Sequence, residues 1–272
     1  MDSVWLQDHT WEEVADYLRR RRTILVPIGA VEQHGPAGPL GVDTWVALAL
    51  AEDTARRLGM LVAPPIWMGD SFHHRRFPGT IWLRSSTLIA LVTDVATSLA
   101  EHGFRRQVWV NGHKGSNLPA LTLALRELHE HRFPEVLFAI VDPLVLGREV
   151  ARAVKTEPEH HGGALELSEI LYRFPGKIRE ERLGAPAADL AAVAGPYIAV
   201  DLFGPPAPVE IPWNSLEERT FAPTGSIGPS ASASVELGRA FHEGMVSELV
   251  RFLEWFEAYE GVLGQMRGGE TL

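Results

Sequence analysis

The chain has 272 residues, 46% of them hydrophobic and 22% charged, with a formal net charge of −10. That length is enough to bury a full core, and the acidic balance argues against a nucleic-acid or anionic-membrane surface, which would need basic residues to displace counterions. With no cysteine, disulfides, thiolate metal sites, iron–sulfur clusters and cysteine nucleophiles are all excluded, so any metal must be held by nitrogen and oxygen ligands. No apolar stretch reaches the ~20 residues of a membrane span. The segment MDSVWLQDHTWEEV carries acidic residues and tryptophans where a secretory leader has a basic region and an apolar run, so a cytoplasmic location is expected.

In chain order, Thr10 to Arg22 reads as a helix, with Thr10 and Glu13 placed as a capping box and Trp11, Val14, Ala15 and Leu18 on one face. Thr23–Ile28 (TILVPI) has the length and β-branching of a buried strand. A Gly/Pro-rich loop follows, then a helix over Thr44–Leu58 that stops at Gly59. Met60–Ile66 reads as a short strand, Gly69–Gly79 as a polar loop, and Thr80–Leu83 as an edge strand. Ser86–His102 has helical apolar periodicity closed by Gly103; Arg106–Val110 is a strand, Leu118–His131 a helix and Glu135–Val141 a strand. This alternation predicts an α/β fold with a mainly parallel sheet covered by helices. Beyond it, helices are expected over Val145–Val154, Glu166–Phe174 and Ser232–Leu253, and residues 176–223 read as an irregular excursion over the active face. No linker demands a boundary, so residues 1–272 are expected to form a single domain.

Three stretches carry candidate chemistry. Glu32 and His34 lie just past the first strand, two residues apart, and the glycines and prolines after them turn the chain so that Asp43 can return beside them. His113 follows the strand RQVWV in the turn NGHKGSN, at the carboxyl end of the sheet where open α/β folds place ligands. His160, His161 and Glu166 flank a Gly-Gly turn that opens a helix. Imidazoles and carboxylates gathered at strand ends suit one or two divalent cations such as zinc, manganese or iron.

At these residues the chain resembles the creatininase family of metal-dependent amidohydrolases. The resemblance runs through GAVEQHGPAGPLGVD (Gly29–Asp43), FPGT (Phe77–Thr80), NGHKGSN (Asn111–Asn117), HHGGALELS (His160–Ser168) and GSIGPSAS (Gly225–Ser232). It implies a three-layer α/β sandwich, a homohexamer and two divalent metal ions per subunit, with zinc ahead of manganese or iron. It further implies that Glu32, His34, Asp43 and His113 are metal ligands, with Asp43 bridging, and that His161 is the catalytic histidine. Creatininase itself has a carboxylate ligand where this chain has Gly115, so Glu166 is expected to replace it at the second metal.

Substrate contacts are expected from His74, Lys114 and His160. The basic run His73–Arg76 suits a substrate bearing a carboxylate or several hydroxyls, and Trp45, Trp82 and Trp213 either wall the pocket or serve packing. The implied reaction is opening of a cyclic amide or related C–N bond of a small molecule by a metal-bound hydroxide, with His161 passing a proton to the leaving nitrogen. The alternatives are ring opening through a C–C bond beside a ketone, as in relatives that process oxidised inositols, and peptide cleavage, as in the mycofactocin-precursor peptidases.

Overall fold

A computed structural model describes residues 3–113, 116–189, 201–204, 209, 211–262 and 264. Its centre is a sheet of four parallel strands in the order β2-β1-β3-β4. They are β1 (Thr23–Ile28), β2 (Leu61–Val62), β3 (Arg106–Asn111) and β4 (Leu137–Val141). β1 and β3 pair in register from Thr23 opposite Arg106 to Ile28 opposite Asn111, so both strands end at the same level.

The period-two alternation of strand side chains produces the three layers. Ile24, Val26, Ile28 and Trp109 point to one face, packed beneath α1 (Trp11–Arg20), α3 (Ser85–Glu101) and α4 (Asn117–His131). Leu25, Val108 and Val110 point to the other, beneath α2 (Val42–Leu58) and the long C-terminal α9 (Val235–Ala258). Between β4 and α9 come α5 (Pro143–Leu146), α6 (Arg148–Val154), α7 (Ala164–Arg173) and α8 (Ser215–Phe221). The expected α/β class and parallel sheet are therefore what the chain adopts. Among the described residues no helix is long and apolar enough to cross a membrane.

Several boundaries differ from the sequence reading, each for a local reason. The second strand shrinks to two residues because Pro64 and Pro65 interrupt it, leaving Ile66 one bridge to Ile28. Thr80–Leu83 forms isolated bridges, Ile81 to Val31 and Trp82 to Gly69, instead of an edge strand. The helix expected over Val145–Val154 breaks at Gly147 into α5 and α6, where the backbone leaves the helical region (φ −85°, ψ 6°) and a Cβ would meet Met245 and Phe241 at 2.8 Å. The capping box of Thr10 and Glu13 forms as expected. A second one, Asn214 with Glu217, starts α8 inside the stretch read as irregular.

The helical layer on the α2 side is pinned by a buried ion cluster. His242 of α9 contacts Glu169 of α7 through Nδ1 and Asp53 of α2 through Nε2, both at 2.8 Å, and Arg173 reaches Asp53 at 2.8 Å. Burial opposes charge on His242, but the two carboxylates outweigh it and raise its pKa from 6.5 to about 9. Replacing His242 with Leu leaves Glu169 buried without its counter-charge and should cost about 3–5 kcal/mol. Since the folded pKa lies above the unfolded one, the wild-type advantage is complete below about pH 6.5 and is lost as pH rises through about 9. Urea unfolding of both proteins on either side of that window checks the sign.

Candidate metal centre

The first polar loop begins where β1 ends. Gly29 packs so tightly on α2 that a Cβ there would meet the Thr44 backbone at 2.4 Å, and Gly35 takes φ +69° at the turn. The Glu32 amide donates to the Leu40 carbonyl at 2.7 Å and the Gly38 amide to the His34 carbonyl at 3.2 Å. The loop so closed brings Asp43 back on the first turn of α2.

From the neighbouring strand end, the NGH turn is held by its own asparagines. Asn111 donates to the His113 carbonyl at 2.7 Å and accepts from its amide at 3.2 Å. Asn117 ties that turn to the Gly29 carbonyl at 3.0 Å and to the Asp70 amide at 2.9 Å. The third element places Glu166 on the first turn of α7, where Oε2 accepts from the Gly162 amide at 2.8 Å.

These three elements converge on one point. His34 Nε2 lies 3.4 Å from Asp43 Oδ1 and 3.5 Å from Glu166 Oε1. His113 Nδ1 lies 3.3 Å from Glu32 Oε1 and 3.4 Å from Asp43 Oδ2. Such separations are too long for strong hydrogen bonds. They match the ~3.3–3.5 Å between two ligands of one tetrahedral cation with bonds of about 2.0–2.2 Å.

The two oxygens of Asp43 face different histidines, so the donors form two adjoining groups that share one carboxylate. Glu32, His34, Asp43 and His113 are at most 3% exposed, whereas the Glu166 side chain is 27% exposed. Three buried polar atoms, Glu32 Oε2, His34 Nε2 and Asp43 Oδ2, have no hydrogen-bond partner among the described residues. Each histidine also spends its other nitrogen on a backbone carbonyl: His34 Nδ1 donates to Glu32 O at 3.2 Å and His113 Nε2 to Asp70 O at 3.1 Å. That fixes the tautomer that presents a bare nitrogen to the centre, as metal-ligating histidines require. The residues present therefore fit a bound metal ion.

The electrostatics point the same way. Burial opposes charge on every group here, yet the carboxylates raise His34 and His113 well above the ordinary imidazole value. The imidazoles of His113 and His74 likewise override burial and hold Glu32 well below the usual carboxylate range. Three carboxylates gathered here, two of them buried, demand positive charge, whether protons on the histidines or metal ions.

His161 stands beside this centre, and its imidazole, Glu32 and His34 also lie close enough together to hold an ion. Its ring is 4.4 Å from those of both His34 and His74, and Nδ1 is 3.8 Å from Glu32 Oε1. Nε2 donates to the Gln33 carbonyl at 2.6 Å. Burial, then the neighbouring His74 and His34, push its pKa well below the ordinary value.

The remaining candidates are placed differently. His160 lines the cavity above the centre, and its Nδ1 accepts from the His161 amide at 2.9 Å. His74 also lines it, but is committed between Glu32 and Glu218. Lys114 lies outside the described residues. Arg75 lies over the Phe72 ring and bonds Ser215, and of the basic run His73 and His74 line the cavity while Arg75 and Arg76 do not. Of the three tryptophans only Trp213 is a cavity wall, while Trp45 packs on Trp67 and Phe174, and Trp82 on Phe72.

The sequence reading missed Gln33, Glu159 and Glu218. Gln33 was readable within GAVEQHG as the polar residue between two ligand candidates. Buried Glu159, whose pKa burial raises to about 8, sits just before the histidine pair. For Glu218 the Asn214–Glu217 capping signal was the available clue.

A test of this packing is Gly112→Ala. A Cβ at Gly112 would stand 1.9 Å from the Asp43 carbonyl oxygen, and neither backbone can retreat. The variant should lose about 1–3 kcal/mol of stability, read by urea unfolding.

A family model described as creatinine amidohydrolase (Creatininase) matches residues 7–253. Among characterised proteins, a mycofactocin precursor peptide peptidase of Mycobacterium tuberculosis is 31% identical over 257 residues, 89% of this chain and 88% of that one. Creatinine amidohydrolase of Pseudomonas putida is 30% identical over 197 residues, 66% of this chain and 76% of that one. A 3-dehydro-scyllo-inosose hydrolase of Thermotoga maritima is 35% identical over 111 residues, 40% of this chain and 36% of that one, so the match spans about a third of that relative's length. A crystal structure of creatinine amidohydrolase superposes with a TM-score of 0.76 at 27% identity, covering 93% of this chain and 97% of that chain. Creatininase forms described as Zn-Zn and Mn superpose with a TM-score of 0.75.

Proposed function

From the premise that this chain belongs to the creatininase family and is a hydrolase, we propose that it cleaves an amide C–N bond with the help of two divalent cations. His34, Asp43 and Glu166 would hold one, and Glu32, His113 and the other oxygen of Asp43 the second. The observation that carries this reading is the meeting of the two donor groups on one buried carboxylate, with bare nitrogens and unpartnered oxygens turned inward. Zinc comes first and manganese second, in line with the forms described for the creatininase structures; iron is third. When bound, such cations polarise a carbonyl oxygen and lower the pKa of water from ~15.7 to about 7.

His161 is the proton carrier in this proposal. Nε2 faces the Gln33 carbonyl at 2.6 Å and the Gln33 side-chain amide at 2.9 Å, so the nitrogen assigned to proton transfer is Nδ1, the one nearer Glu32. A neutral imidazole there takes up a proton as the nucleophile forms and delivers it to the departing nitrogen. Gln33 keeps that ring in place: its amide group donates to the Gly225 carbonyl at 3.1 Å and accepts from the Gly35 amide at 2.9 Å, so the loop cannot swing.

The cavity over the centre measures about 790 Å³ and includes apolar walls from Leu123, Pro143, Ile211 and Trp213. A cyclic amide remains the first reading of the substrate, carrying an apolar substituent to fill those walls. The volume and the walls favour, as second reading, a linear peptide amide, the class named for the mycobacterial relative.

Elemental analysis of protein purified without chelator should find two divalent ions per chain, and a strong chelator should abolish turnover. His113→Ala should lose one ion. His161→Ala should retain both while turnover falls about 10²–10⁴-fold. A fully active His113→Ala protein with its metal intact would end the proposal. Cyclic amides compared with short apolar peptides in one assay decide the substrate class.

A further inference from the structure

Glu218 is a carboxylate that the reaction described above does not use. It lies on α8 and is fully buried, and its only side-chain polar contact among the described residues is with His74, whose Nδ1 is 2.5 Å from Oε1. The other nitrogen of His74, Nε2, stands 3.3 Å from Glu32 Oε1, the oxygen that also faces His113 at 3.3 Å. Glu218, His74, Glu32 and His113 thus form one continuous row that starts on α8 and ends in the centre. A buried carboxylate is costly to keep, and an apolar residue would serve to dock α8. That docking already has two other contacts, Arg75 Nε to Ser215 Oγ at 3.0 Å and the Arg219 guanidinium 4.8 Å from the centre of the Phe77 ring.

We propose that Glu218 is a positioning residue for the metal centre: its carboxylate pairs with the His74 imidazole at Nδ1, keeps His74 Nε2 facing Glu32, and so holds the Glu32 carboxylate in the orientation that binds a cation together with His113. The inference rests on the assignment of Glu32 and His113 as ligands. Partners that orient ligands in this way typically contribute 10–100-fold to metal affinity. The row also gives the second half of the chain, through α8, a hold on a ligand pair that belongs wholly to the first half.

The test is titration of the metal-free full-length protein with Zn²⁺ alone, followed by calorimetry or by competition with a chromophoric chelator, so that no substrate is needed. Glu218→Gln keeps the shape and removes the charge; it should weaken one of the two binding events about 10–100-fold and leave the other unchanged. His74→Gln should weaken the same event, and the double variant should be no worse than the more affected single one, because both act through one row. Arg219→Ala, which loosens α8 without touching His74, should lower thermal stability and leave Zn²⁺ affinity unchanged. That separates positioning from docking. Should Glu218→Gln fail to fold, His74→Gln reads the same contact from its other end. Unaltered Zn²⁺ affinity in Glu218→Gln, or strictly additive losses in the double variant, overturns the proposal. Failure of the wild-type protein to bind Zn²⁺ overturns the metal assignment itself, so the two failures are distinguishable.

Discussion

The constraint on which the rest of the structure depends is the convergence of three carboxylates, two of them buried. Glu32 and Asp43 are essentially inaccessible, and Glu166 joins them from above. Such a concentration of negative charge is unstable by itself. The surroundings answer with imidazoles: His34 and His113 lie against those carboxylates, and His74 braces Glu32 from behind. A protein that needed only a stable core would have placed apolar side chains at these strand ends. The donor chemistry, the fixed tautomers and the family membership of the chain converge on an enzyme centre.

The fold brings these groups together through strand register and close backbone packing. β1 and β3 are adjacent parallel strands that finish at the same level, so the loops leaving them open onto one patch. Glycines then let backbone segments approach further than side chains would permit. Gly112 lies against the Asp43 carbonyl, and Gly238 lies against the Ser168 carbonyl, where a Cβ would be only 1.9 Å away. The second contact locks α9 to α7, the helix that carries Glu166 on its first turn.

The first half of this arrangement was largely legible in the sequence because it rests on local signals. Apolar strands followed by Gly-rich turns with histidines located β1, β3 and their loops, and the Gly-Gly turn before α7 marked the third element. What was not legible depends on long-range packing. Nothing local says that His74 faces two carboxylates and not a substrate, because one of them, Glu218, is 144 positions away in sequence. The environment of His73–Arg76 was hidden for the same reason: Arg75 stacks on its neighbour Phe72, and burial next to His74 pushes His73 down to about 3. Likewise Trp45 and Trp82 could be told from a pocket wall only once their aromatic neighbours were known.

The unequal burial of the carboxylates carries one more implication. In the proposed arrangement, Glu32, Asp43 and His113 sit at most 3% exposed on the cavity floor, whereas Glu166, on a helix from the other half of the chain, has a side chain 27% exposed. The ion beside Glu166 would then trade with the medium on a shorter timescale than its neighbour. A cell low in one element and rich in another would hold a mixed-metal population, with the inner position keeping its first occupant and the outer one following supply.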